Sequence, residues 1–342
     1  SKSRCEMKHL LFLLGAFLFA TGSFAQSPTW KQFQPPGKSS LRGLAPVSDQ
    51  VCWASGSGGT WLKTEDGGAS WKTGTVAGLD TVDFRSIHAF DSQTAVVASA
   101  GQPAVIYRTE DGGKSWQKVH QEGGEAFFDA IQFVDTQRGY VLGDPIGGKW
   151  MILETLDGGK SWHSLAKLPD AVLGEAAFAA SASSMVADAS GLVFATGGTV
   201  SRLHRYTFAS QSWGVRELTD MLQGQPSQGV FAVAALPGDG GLVLVGGDYL
   251  QPEFRPGNAV LVIGEATIAT SEGPAGYRSG VAYLPGQGWV VAVGPGGSDY
   301  SSDGGHSWKP FSQTGYHAVK ASPGGKVLWS SGGQGRLGKL VY

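Results

Sequence analysis

An eight-residue segment, Ser or Thr-x-Asp-Gly-Gly-x-Ser-Trp, occurs four times, at residues 64–71, 109–116, 155–162 and 301–308. Its aspartates are Asp66, Asp111, Asp157 and Asp303, so successive copies are 45, 46 and 146 residues apart. The last gap is close to three steps of about 49 residues, and a period of roughly 40–50 residues is that of a repeat fold with one supersecondary unit per period. A chain so built is an array, and its function must be sought in what the array assembles.

The unit is legible in its second copy. Residues 85–90, 94–99, 104–108 and 116–119 are four short runs rich in Val, Ile, Ala and aromatic residues, with the Asp-Gly-Gly turn between the third and fourth. Asp-Gly and Gly-Gly suit tight hairpins because such turns need positive φ. The chain's 53 glycines fall at turn positions of this kind, so they punctuate short strands instead of marking disorder. Four antiparallel strands per period fit a propeller blade. Seven units are counted, starting near Leu41, Phe84, Phe128, Gly174, Ser227, Tyr277 and Tyr316. The fourth keeps only Ser212-Trp213 of the repeated segment, with Phe208 in place of the aspartate; the fifth has lost it. The seventh ends after three strands. Thr29-Trp30-Lys31 matches Ser70-Trp71-Lys72 and Ser307-Trp308-Lys309, so the N-terminal run is expected to supply the missing strand and close the ring. Closure removes exposed strand edges. The expected fold is all-β, a seven-bladed propeller of four-stranded antiparallel blades spanning residues 26–342 as one domain.

Residues 1–25 read as a signal peptide: Lys2, Arg4 and Lys8, then the apolar run Leu10–Ala20, then Ser23-Phe24-Ala25. Eleven apolar residues fall short of the roughly 20 that a membrane helix needs, so cleavage near Ala25 and a periplasmic or secreted, monomeric protein with no transmembrane segment are expected. Cys5 precedes the apolar run, which leaves Cys52 without an internal disulfide partner. With Lys and Arg at 26 and Asp and Glu at 28, no basic excess points to nucleic acid.

The repeated turn has a structural explanation: its aspartate accepts hydrogen bonds from turn amides, and its glycines permit left-handed geometry. Asp66, Asp111, Asp157 and Asp303 are therefore assigned to structure, and a metal is not expected, since one carboxylate per turn is too few for calcium. Aligning the units on the first strand exposes a different column: Arg42, Arg85, Asp129, Glu175, Gln228, Arg278 and His317. The start of the innermost strand places it at the mouth of the central channel. Connections between second and third strands open on the same face and carry Asp144, Asp248, Tyr249 and Tyr300. These residues are the candidate binding set, with guanidinium groups suited to carboxylate or phosphate. The competing reading is that arginines at a wet mouth bond strand carbonyls and water.

The repeated segment is the Asp-box or BNR repeat. With Leu41-Arg42-Gly43-Leu44 and Trp53-Ala54-Ser55-Gly56, the chain resembles the Ycf48-like photosystem II assembly and stability factors over nearly its whole length. The resemblance implies a secreted seven-bladed propeller whose basic channel region engages a partner polypeptide. The identity of the partner does not transfer with a fold, so an envelope protein, a peptide or a glycan is expected. The chain also resembles sialidases in its Asp-boxes. That resemblance implies a carboxylate clamp from Arg42, Arg85 and Arg278, with Glu175 and Asp129 as acid and base and Tyr249, Tyr277, Tyr300 or Tyr316 as nucleophile. No Tyr-Arg-x-Pro segment opens the first blade, and the reading leans to a non-enzyme. Redox chemistry is the weakest alternative: no Gly-x-Gly-x-x-Gly opening a helix after a strand, no Cys-x-x-Cys and no clustered histidines are present, so no cofactor is expected. His88, His120, His163, His204, His306 and His317 are scattered, and most read as solvent-facing.

Overall fold

The computed structural model describes residues 27–238 and 240–342. The signal peptide expected at residues 1–25 lies outside the described residues. Seven antiparallel sheets form the blades of a propeller. Blade one is Leu41–Pro46, Cys52–Gly56, Thr60–Thr64 and Lys72–Thr75, and blades two and three repeat this order from Asp83 and Phe128. Blade four is Met185–Ala187, Gly191–Ala195, Arg202–Thr207 and Ser212–Glu217. Blade five has Gln225–Ala235, Leu242–Asp248, Ala259–Ile263 and Ala266–Ala269, and blade six starts its inner strand at Gly280.

Blade seven contains Ala318–Ala321, Leu328–Ser331 and Leu337–Val341, and its fourth strand is Thr29–Phe33 from the other end of the chain. The pairing runs from Thr29↔Val341 to Phe33↔Leu337. The expected closure through Trp30 is therefore the observed one.

Each blade alternates its side chains between two neighbours, so the apolar cores lie between blades. Seven buried clusters occupy the seven seams. In the seam of blades one and two, Trp53 and Trp61 meet Phe84 and Ile87. Blades seven and one share Leu41, Leu44 and Trp329.

The four repeated turns are nearly superimposable in their bonding. Asp66 Oδ1 accepts from the Thr64 hydroxyl at 2.9 Å and the Ser70 amide at 2.8 Å, and Oδ2 accepts from the Ser70 hydroxyl at 2.5 Å. Asp111, Asp157 and Asp303 repeat the set. Gly113 shows why glycine is required: its φ is 90°, and a Cβ there would sit 2.6 Å from the Trp61 ring. The turns join third to fourth strands, on the face opposite the channel mouth.

The Ser70 and Ser115 hydroxyls and amides hold Asp66 and Asp111 at about 2, below their ordinary 3.8. Asp157 and Asp303 also reach about 2, their serine and threonine bonds outweighing the upward pull of partial burial. Carboxyls depressed by folding add stability above their unfolded pKa and lose it as pH falls toward the folded one. Stability from these turns is thus expected to be full above about pH 4 and to decline from there toward pH 2. Acid-unfolding curves of the wild type and of a protein with all four aspartates changed to asparagine check this. Curves of identical shape would refute it.

Candidate functional site

The inner strands of all seven blades begin on the mouth face, and strand register decides which side chains form the column there. Regular pairing starts at Gly43↔Ser55, Ser86↔Ala98, Ala130↔Leu142, Ala232↔Val245, Gly280↔Val293 and Ala318↔Ser331. In blade four the equivalent residue is Ser184, whose carbonyl accepts from Ala195. The residue before each forms the ring: Arg42, Arg85, Asp129, Ser183, Phe231, Ser279 and His317. Arg42, Asp129 and Phe231 lie at β-bulges.

Four of the seven expected members are therefore in the ring, and three are displaced. Arg278 is one residue early. It takes the inter-blade position that Leu41 and Phe84 fill elsewhere, and its guanidinium turns into blade six. There Nε donates to Asp299 Oδ2 at 2.5 Å and Nη1 to the Tyr277 carbonyl at 2.9 Å. Gln228 is three residues early, on a hairpin extension of blade five, where its Nε2 donates to Asp248 Oδ2 at 3.1 Å.

Glu175 is eight residues early. With Ala176 it forms a two-residue strand paired to Gly197-Gly198, which extends the sheet of blade five. Its carboxylate is fully enclosed and accepts from the Val172 amide, the Thr196 hydroxyl, His204 Nε2 and both Nε and Nη2 of Arg202. Burial opposes the charge, but these donors, His204 and Arg202 foremost, hold Glu175 at about 2. Such a carboxylate has no proton to donate near neutral pH and no oxygen left for substrate.

The displacement of Glu175 reflects an insertion. Residues 177–183 leave blade four and lie across the mouth before the inner strand begins. Phe178 stacks on Phe231 of blade five at 3.8 Å, and Ala180 packs against Phe231 and Tyr277. Arg42, from blade one on the far side, donates from Nη1 to the Ala180 carbonyl at 3.0 Å. Gln132 of blade three donates to the Ala182 carbonyl at 3.3 Å. The competing reading of the mouth arginines thus holds for Arg42, which bonds a backbone carbonyl. The segment plugs the channel on this face.

The polar ring is consequently shielded, with Asp129, Ser183 and Ser279 buried and Arg42, Arg85 and His317 half-buried. Burial, then Arg85, lowers the Arg42 pKa. Burial, then Arg42 and Arg85, pushes His317 down to about 3, so its imidazole is neutral. Asp129 is wholly buried with both carboxylate oxygens unpartnered, and burial followed by repulsion from Asp144 holds it well above the carboxylate range. Asp144 is raised to about 6 by burial, although its Oδ1 accepts from the Ala177 amide. Arg85 is the ring's accessible cation, bonded to Asp83 at 2.7 Å.

Arg42, Arg85 and Arg278 do not form a clamp: Arg42 is on Ala180, Arg85 on Asp83 and Arg278 on Asp299. Tyr277 and Tyr316 are buried in packing. Tyr300 is not on a mouth-face connection. It lies within the third strand of blade six, against Trp289 and Phe311. Nor are the histidines all solvent-facing, since His204 is buried and stacked on Phe194 at 4.4 Å.

Of the apolar rim on this face, sequence reasoning picked out only Tyr249. Ile146, Val172, Leu173, Tyr249, Leu250 and Phe254 are all exposed, Leu173 at 95% and Leu250 at 71%. They sit on the mouth-face connections of blades three to five. Tyr249 stands edge-on to Phe231, linking the rim to the plug. The signal was present as apolar residues inside Gly- and Pro-rich connections.

Residues 23–124 match the family model described as photosynthesis system II assembly factor YCF48. No curated protein sequence matches. Among solved structures, YCF48 bound to D1 peptide aligns with a TM-score of 0.64 at 17% identity, covering 92% of this chain and 97% of that one. YCF48 from Cyanidioschyzon merolae aligns at 0.65 and 18%, covering 91% and 98%. The WD40 β-propeller domain of Doa1 aligns at 0.61 and 13%, covering 92% and 96%. By its blade count and these likenesses, the chain folds as a seven-bladed β-propeller, and its residues 23–124 are similar to the YCF48 family.

Proposed function

We propose that this protein is a binding propeller of the assembly-factor kind, outside the cytoplasm, that holds a segment of a partner envelope polypeptide against its mouth face. The apolar rim carries the reading. Six large apolar side chains, from Ile146 to Phe254, crowd one sector of one face, which marks interaction sites on soluble proteins. Arg85 of blade two, 34% exposed in its pair with Asp83, is the ring cation open to a partner carboxylate. A YCF48 structure carries a bound D1 peptide, which supports a polypeptide ligand for this fold. The apolar run at Leu10–Ala20 supports export.

The structure moves the informative substitutions. Changing Arg42 or Arg278 would disturb the plug or a buried ion pair, and would confuse folding with binding. Affinity capture from the native envelope should instead compare the wild type with Leu173→Ser/Leu250→Ser and with Arg85→Ala. The double substitution is expected to reduce capture about tenfold or more while leaving thermal unfolding unchanged. Full capture by both variants would overturn the proposal.

A further inference from the structure

The plug converts the channel from a tunnel into a cup. Below it, toward the opposite face, lies a cavity of about 270 Å³. Its walls come from the inner strands and are mostly aliphatic, with Val186, Val233, Val281 and Val319 among them. Three longer polar side chains enter it: His88, Gln132 and Lys320. Each stands three residues after a member of the mouth ring, Arg85, Asp129 and His317, so they form part of a second and deeper ring. Ala45, Val186 and Ala282 stand at the same offset in three other blades and also line the cavity.

Gln132 is already engaged, donating to Ala182 of the plug. His88 and Lys320 are not. Among the described residues, neither the Lys320 amine nor either His88 ring nitrogen has a hydrogen-bond partner, and no carboxylate pairs with Lys320. His88 is fixed by stacking on Phe133 at 4.5 Å and by an edge contact with Phe90 at 4.7 Å. An amine held in an apolar cup without a counter-charge is costly unless something anionic joins it.

We propose that this cup binds a small organic monocarboxylate with an apolar body, its carboxylate on the Lys320 amine and the His88 ring, entering from the face opposite the plug. A single amine and a neutral imidazole match one negative charge, and a phosphate dianion would need more donors than the cup has. The aliphatic walls take the hydrocarbon part. Burial brings Lys320 down to about 8 and His88 to about 3. The titratable groups facing Lys320 are His88 across the cup and the buried Cys52 behind it. Binding therefore requires protonated Lys320 and weakens as pH rises through about 8.

The test uses the whole propeller and three probes: hexanoate, hexan-1-ol and inorganic phosphate. Lysines are reductively methylated with carbon-13 and followed by NMR. Hexanoate is expected to move one signal, the one that titrates at depressed pH and is missing from Lys320→Met. The Met variant keeps the length of the side chain and should bind hexanoate about tenfold or more weakly, with hexan-1-ol binding unchanged. Lys320→Gln serves if the Met variant does not fold, and the wild-type signal decides the matter if neither does. A wild-type lysine spectrum unmoved by hexanoate overturns the proposal. So does equal hexanoate affinity in the variant, or phosphate binding as tight as hexanoate.

Discussion

Arg278→Ala is expected to lower the stability of this protein by about 3–5 kcal/mol, the cost of leaving a buried charge without its partner. The pair is almost wholly enclosed: the Arg278 side chain is 3% exposed and that of Asp299 0%. Asp299 Oδ1 also accepts from the Ala275 amide, so the carboxylate is fixed and cannot turn to water. Chemical denaturation measures the loss. Arg278→Met combined with Asp299→Leu should recover most of it, because replacing both partners removes the orphaned charge. Arg278→Lys should not, since an ammonium cannot reproduce the guanidinium fork. A loss under about 1 kcal/mol for Arg278→Ala would mean the pair behaves as a surface contact, contrary to its burial.

The second large effect is expected on removing residues 27–33. The strand Thr29–Phe33 supplies five backbone pairs to Leu337–Val341. Its side chains are placed as well. Trp30 packs on Tyr316 at 5.1 Å and donates from Nε1 to Ser298 of blade six at 3.0 Å. Phe33 lies between Trp71 and Trp329. Losing both aromatic anchors costs on the order of 5 kcal/mol. It also bares Leu337–Val341 as an edge, which templates association between copies. The truncated protein should therefore elute as oligomers at a concentration where the full chain is a single species. A synthetic peptide covering residues 27–35 should restore it. A truncated chain that stays monomeric with an unchanged unfolding curve would show that the ring closes without this strand.

The architecture was legible because its signals are local and periodic. Asp-Gly-Gly-x-Ser-Trp marks the same turn wherever it occurs, and Trp30 declares itself by matching Trp71 and Trp308. The site was legible only where the period held. Arg42, Arg85, Asp129 and His317 were found because blades one, two, three and seven run the same distance from ring residue to turn. From Arg85 to Asp91 is six residues, whereas from Glu175 to the corresponding Asp188 is thirteen. That excess was the visible trace of the plug. Its course over the mouth was not visible, because Ala180 meets Arg42 across 138 residues of sequence. Arg278 misled for a subtler reason. Tyr277-Arg278 has the aromatic-polar look of Tyr316-His317, but a one-residue shift in pairing sends its side chain into the blade. The deeper ring could have been read directly, since His88, Gln132 and Lys320 repeat at a fixed offset from residues already singled out.

The seven seams have a mechanical consequence. In a linear repeat array the outermost units have one neighbour each, so unfolding starts at an end and frays inward. Here blade seven is completed by Thr29–Phe33 and seamed to blades six and one, so no blade is terminal. Opening begins only by breaking a seam that is flanked on both sides. The first break carries the greatest resistance, and each later one meets a ring already cut.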